Sequence, residues 1–181
     1  MEKMEARSSQ LLNAPVILPS LAISTKVVTI HDFKPDAIAE QLTLIDSQLL
    51  SKIDVAECLF ASKGEKMKDR LTPNINKFTE QFNHFAYWVR SRILLEEECK
   101  SREKLYSKFI KIMKHLKKLN NFNSIIAITS ALESAPVRRL DWPKHLIDGL
   151  KEFESLSDST SSFRAYRNIL HDVEPPCVPY L

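Results

Sequence analysis

The sequence predicts an all-α fold in a single domain, and three observations carry that reading. Glycine occurs at only two of 181 positions, Gly64 and Gly149, too few for the glycine-bearing turns that all-β architectures need. Apolar residues recur at intervals of three and four through most of the chain, the period that gathers them on one side of a helix. No stretch sustains the apolar–polar alternation of a half-buried strand, and no internal repeat is visible.

Residues 1–30 read as a loosely ordered leader, because Pro15 and Pro19 interrupt its apolar part (APVILPSLAI) and proline lacks the backbone donor a helix uses. Residues 31–181 form the domain. From Pro35, the series Ile38, Leu42, Ile45 and Leu49 marks a helical stripe. A short helix is expected from Asp54 to Phe60, and the polar stretch ASKGEKMKDR reads as a loop. Thr72-Pro73 opens a long helix, since threonine suits the N-cap and proline the first helical position. Phe78, Phe82, Phe85 and Val89 follow on one face, with Trp88 adjacent.

Ser101 is placed to cap the next helix, which runs to about Leu119. At the helical 100° per residue, Leu105, Phe109, Ile112, Met113 and Leu116 share one arc, and Lys104, Lys108, Lys111, Lys114 and Lys118 lie opposite. Further helices are expected near Asn123–Glu133, Pro143–Leu156 and Ser161–Asp172, with Asp141 and Ser161 at cap positions. The closing EPPCVPYL carries three prolines, which forbid regular helix. The expected core is Phe78, Phe82, Phe85, Trp88, Phe109, Ile112, Leu116 and Phe122.

Several chemistries are excluded by what the pattern lacks. Gly64-Glu65-Lys66 has no partner glycine for a phosphate-cradling loop, and no GxSxG elbow exists. The five histidines form no ligand pair at i, i+4, so no metal and no cofactor are expected. Cys58, Cys99 and Cys177 are odd in number and lack CxxC spacing, which reads as reduced, mostly buried thiols of a cytosolic protein. No apolar run approaches the ~20 residues of a membrane span. The chain is therefore expected to act through surfaces and not as an enzyme performing covalent chemistry. The lysine face is explained as a solvated helix side whose stems cover apolar surface; the alternative is a basic helical binder of nucleic acid or anionic lipid. Net charge of +3 gives no independent sign of nucleic-acid binding.

Two motifs exceed helix statistics. LNNFN, from Leu119 to Asn123, makes a tight corner: asparagine tolerates left-handed backbone and caps helices, and Phe122 is the plug. Ser134 to Leu140 (SAPVRRL) reads as a loop, because Pro136 restricts Ala135 and ends the preceding helix.

Together with PDAIAEQLTLID (Pro35 to Asp46), TPNINKFTEQFNHFAYWVRS (Thr72 to Ser91) and VEPPCVPYL, these motifs resemble, in the same order, the catalytic domain of Ras-family guanine-nucleotide exchange factors. The likeness covers about residues 31–181. FIKIMKHLKKLNNFNS and SSFRAY are most similar to the Rap-directed branch that binds Crk adaptors. The resemblance implies a bowl of helices receiving the switch II segment of a Ras-superfamily small GTPase, Rap preferred over Ras, with no nucleic acid and no transmembrane segment involved. It places Asn76, Thr79, Glu80 and Asn83 on the helix lining the bowl, Ile126 and Tyr180 at an apolar pocket, and Glu133, Arg138 and Phe163 at neighbouring contacts. Asn76 and Thr79 are more polar than the aliphatic residues that one member of the family carries there, which is compatible with a different GTPase preference.

In the family, PPCVPY leads into a helical hairpin that wedges the nucleotide site open; this sequence stops at Leu181, before it. The expectation is a partial catalytic domain that binds nucleotide-free GTPase weakly and accelerates release poorly or not at all. Promotion of GDP release is the leading reading, and a non-catalytic GTPase-binding module is the alternative. A cytoplasmic location, with recruitment to membranes where the GTPase is anchored, is implied.

Overall fold

The computed structural model describes residues 28–63, 68–159 and 162–181; most of the leader, Gly64 and Ser161 lie outside them. After a single 3₁₀ turn at Ile30–Asp32 come nine helices among the described residues: α1 (Pro35–Leu50), α2 (Val55–Lys63), α3 (Lys68–Leu71), α4 (Pro73–Leu94), α5 (Cys99–Lys118), α6 (Phe122–Glu133), α7 (Ala135–Arg138), α8 (Lys144–Ser157) and α9 (Arg164–Asp172). The fold is all-α, as the glycine scarcity and periodicity predict. Among the described residues no helix is long and apolar enough to cross a membrane.

The centre of the domain is α6. Its residues from Phe122 to Leu132 are buried except Ser130, as expected of a helix apolar nearly all round. It packs against α4, α5 and α8, while α1 lies along α5. The α5 stripe is inside as its spacing requires: Leu105, Phe109, Ile112, Met113 and Leu116 are all at most 1% exposed. Gly149 of α8 faces α5, where a Cβ would make ordinary contact with the Ile110 side chain at 3.5 Å.

The LNNFN corner forms as read. Asn120 is left-handed at φ 52. Asn121 caps α6, its Oδ1 accepting Ser124 N–H at 3.0 Å, and Phe122 is 3% exposed. The C-terminal segment then docks on this corner: Phe122 N donates to Val178 O and Val178 N donates to Asn120 O, each at 2.9 Å. The Asn120 amide also donates to the carbonyls of Glu174 and Pro176.

Several expectations are corrected. Trp88 is 42% exposed: the inward line of α4 is Phe78, Val89 and Ile93, and Trp88, about 100° from Val89 around the helix, lies over Phe85 and meets Phe109 edge-on. Phe82 and Phe85 are half-buried at the core's margin. On α1, Ile45 is exposed and Asp46 is buried instead, with Ala39 and Leu42. SAPVRRL is not all loop: α7 makes one turn with Pro136 in its first turn, where a missing N–H costs nothing. Cys58 and Cys99 are exposed and Cys177 half-buried, all three free.

The cap expectations fare unevenly. α5 starts at Cys99, so Ser101 sits inside its first turn, donating to Glu98 Oε2. Pro143, not Asp141, precedes α8. Part of the expected 61–70 loop is helical, as α3. Thr72 does precede α4, but the open N–H groups there are met from outside the helix: Glu57 of α2 accepts Asn74 N–H at 2.9 Å and Ile75 N–H at 3.1 Å. A carboxylate at a helix N-terminus satisfies orphan donors and complements the helix dipole together.

Candidate functional site

α4 crosses the domain with one side on α6 and a polar line, Asn76, Thr79, Glu80 and Asn83, along another. Thr79, Glu80 and Asn83 are exposed. Thr79 spends its hydroxyl proton inside the helix, on Ile75 O at 2.9 Å, so outwardly it offers an acceptor and a methyl group. Asn76 is half-buried and its Oδ1 faces the Thr72 hydroxyl.

Facing this line is the C-terminal segment, whose position follows from the corner. With Val178 fixed on Asn121, Tyr180 reaches α4 and its ring lies 5.2 Å from that of Phe82, centre to centre, and 6.0 Å from that of Phe163. Tyr166 of α9 locks the segment: its hydroxyl accepts Tyr180 N–H at 2.7 Å and donates to Tyr180 O at 3.3 Å. The Tyr166 ring meets Phe122 edge-on, so the lock is anchored in the corner plug. Phe163 joins the group from a left-handed backbone, φ 57, immediately before α9. Such a conformation costs a non-glycine residue about 1–2 kcal/mol and persists only where the surroundings hold it.

Phe82, Ile126, Phe163 and Tyr180 thus converge on a hollow of about 280 Å³, with Glu133 and the hydroxyl-bearing Ser130, Ser134 and Ser157 at its edge. Thr79 and Asn83 line an adjoining notch of about 80 Å³, which shares Phe82 and Tyr180 with the first. A third hollow, about 310 Å³, continues along α4 past Asn83 to Tyr87 and Arg90. The three make a groove with an aromatic floor and polar margins.

Glu133 is held on one side by Ser157, whose Oγ donates to Oε2 at 3.0 Å. Its carboxyl lies above the ordinary glutamate range: burial raises it most and the Glu154 carboxylate adds to this, while the Ser157 bond and the Arg138 guanidinium oppose them. Burial, with the Glu154 and Glu133 carboxylates, pushes the Tyr106 phenol up to about 12.

Of the residues implied by the resemblance, Thr79, Asn83, Ile126, Glu133, Phe163 and Tyr180 come together in the groove. Asn76 and Glu80 continue the α4 line outside its hollows. Arg138 is exposed on α7 and touches the site only through its field on Glu133. Phe82, read as core, is the residue common to all three hollows. Tyr87 and Arg90 also line the groove. They continue the 76-80-83 spacing by four and then three, and the Arg90 guanidinium lies over the Tyr87 ring at 4.9 Å, a cation–π contact.

Residues 37–181 match the RasGEF domain family. The chain is 54% identical over 164 residues to human Rap guanine nucleotide exchange factor 1, covering 91% of this chain and 15% of that protein. It is 51% identical over 150 residues to Guanine nucleotide-releasing factor 2 of Drosophila melanogaster, covering 83% of this chain and 9% of that protein. Ras guanine nucleotide exchange factor E of Dictyostelium discoideum is 35% identical over 172 residues, with 91% of this chain and 17% of that protein covered. The chain thus spans less than a fifth of the length of these relatives. A family match across four-fifths of the sequence, on a helical fold that assembles the aromatic groove, shows that the chain belongs to the RasGEF domain family.

Proposed function

We propose that this chain promotes GDP release from a Ras-superfamily GTPase, Rap in preference to Ras, by taking the GTPase's switch II segment into the groove between α4, α6 and the C-terminal segment. The observation that carries the reading is the convergence of Phe82, Ile126, Phe163 and Tyr180, from four separate parts of the chain, on one hollow whose other half is lined by Ser130, Glu133, Ser134 and Ser157. That is the form of a pocket for a single large side chain, oriented by a few polar groups. The names of the relatives, a Rap factor at 54% identity among them, support the GTPase class and the preference.

The action is binding and conformational change, with no bond made or broken by the protein. Exchange requires that the nucleotide-free GTPase be bound better than the nucleotide-loaded one, since a ligand shifts an equilibrium only by its differential affinity. In this reading the pocket grips switch II, Thr79 and Asn83 offer hydrogen-bonding groups to its backbone, and Glu133 supplies an acidic edge.

The test is retention of purified Rap and Ras, each nucleotide-free and GDP-loaded, on the immobilised chain, alongside release of fluorescent GDP. Preferential retention of nucleotide-free Rap, lost in Tyr180→Ala and Phe82→Ala, is expected. Such acceleration of GDP release as the chain gives should disappear in the same variants. Equal retention of loaded and empty GTPase, or none of either, would overturn the reading.

A further inference from the structure

A hollow of about 740 Å³ lies apart from the groove and shares no lining residue with it. It lies between the segment leading into α1, the outer side of α5 and the start of α8. Lys100, Lys104, Lys108 and Lys111 line it at i, i+4, i+8 and i+11 along α5, and Lys34 faces them from the other wall. Glu103 is the one carboxylate in the lining.

The lysines divide by role. Lys108 is half-buried and donates to the carbonyls of His31 and Phe33, so it fixes the wall. Lys34, Lys100, Lys104 and Lys111 are exposed, and none forms an ion pair among the described residues. Unpaired like charges around one concavity repel one another, and an anionic partner relieves that repulsion. Phe33, on the same wall, is 53% exposed, an apolar cost in water that a lipid interface removes.

We propose that this basic hollow is a docking surface for an anionic phospholipid membrane, with Lys34, Lys100, Lys104 and Lys111 against the headgroups and Phe33 entering the interface. Four exposed lysines with an aromatic beside them suit an anionic leaflet, where each basic residue near the surface contributes about equally. The hollow has no arginine in its lining, and so lacks the planar forks that read phosphates and bases in nucleic acid. Because the hollow and the groove share no residues, membrane and protein partner can be held together.

The experiment is sedimentation of the purified chain with vesicles of phosphatidylcholine alone and of phosphatidylcholine mixed with phosphatidylserine, at low and high salt. Binding to the mixed vesicles only, weakening with salt, is expected. Removing two charges of the hollow, Lys104→Gln with Lys111→Gln, should weaken it about thirtyfold, at about 1 kcal/mol for each lysine. Removing two charges elsewhere, Lys52→Gln with Lys118→Gln, should change it no more than a few-fold. Phe33→Ser should weaken binding even at high salt. All these side chains are exposed, so an unchanged thermal midpoint identifies folded variants. Equal losses from the two lysine pairs, equal binding to uncharged vesicles, or tighter binding to an RNA oligonucleotide than to the mixed vesicles, dependent on Lys104 and Lys111, would each overturn the proposal.

Discussion

The Asn121 side-chain amide donates to Asp46 Oδ2 across 3.0 Å inside the domain, although the two lie 75 positions apart in the chain. The same oxygen accepts the Ser124 hydroxyl at 2.6 Å, and Asn121 also reaches Thr43 Oγ1. One carboxylate, 3% exposed, thereby holds α1 to the corner that opens α6 and receives Val178. Asp46→Ala strands two buried donors and should cost about 3 kcal/mol, lowering the thermal midpoint by roughly 6–12 °C for a domain of this size. Asp46→Asn, which keeps an acceptor oxygen, should cost less. Equal midpoints for Asp46→Ala and the parent would show that α1 is held by apolar contacts alone.

The packing of Phe109 and Trp88, which touch edge to face, gives a second test. Phe109 is 1% exposed and Trp88 is 42% exposed. Phe109→Ala should cost about 3–5 kcal/mol, as a large cavity in a close-packed core does. Trp88→Ala, despite the larger side chain removed, should cost only about 1 kcal/mol. Urea unfolding of both variants decides it, and a larger loss at Trp88 would contradict the burial order.

Tyr166 positions Tyr180 without lining the hollow itself. Tyr166→Phe keeps the ring against Phe122 and removes both bonds to the Tyr180 backbone, a loss of about 1–2 kcal/mol in stability. If the groove receives switch II as proposed, retention of nucleotide-free Rap should fall more than the midpoint shift accounts for, because the pocket wall is freed. Retention equal to that of the parent would remove Tyr166 from the positioning role.

Glu133 carries a pH dependence of definite sign. Its folded-state value is raised above the ordinary 4.5, so the protonated form is favoured by folding. Its contribution is whole below that pH and is lost as pH rises through the raised value. Glu133→Gln keeps an acceptor for Ser157 and carries no charge. Its thermal midpoint should therefore gain on the parent's between pH 4 and pH 7. A gap that is constant across this range would mean the carboxyl is not perturbed.

Glu57 should behave in the opposite way. Burial pulls its carboxyl up, but bonds from the Asn74 side chain and the backbone N–H groups of Ile75, Asn74 and Asp54 outweigh it and leave the value lowered from 4.5. The stabilisation is present above that pH and is lost as pH falls through the lowered folded value. Glu57→Gln should lower the midpoint at neutral pH and flatten its fall in acid. An acid limb of unchanged steepness would show that α4 does not depend on this cap.

The sequence by itself determined the features that a short stretch of chain can specify. Glycine scarcity and the three-four spacing are local properties, and the all-α class follows from them. The α5 stripe needed only its own twenty residues to be read, and the LNNFN corner only the tolerance of asparagine for left-handed backbone and capping. What the tertiary structure alone decided depends on groups far apart in the chain. Asp46 goes inside and Ile45 outside because Asn121 and Ser124 meet one and not the other. The α4 cap is a carboxylate from α2, invisible to any reading of Thr72-Pro73. Phe82 belongs to the groove and not the deep core because Tyr180 arrives beside it, and Tyr180 arrives because Val178 pairs with the corner. Periodicity says which face of a helix is apolar; it does not say whether a helix, a tail or a partner will cover it.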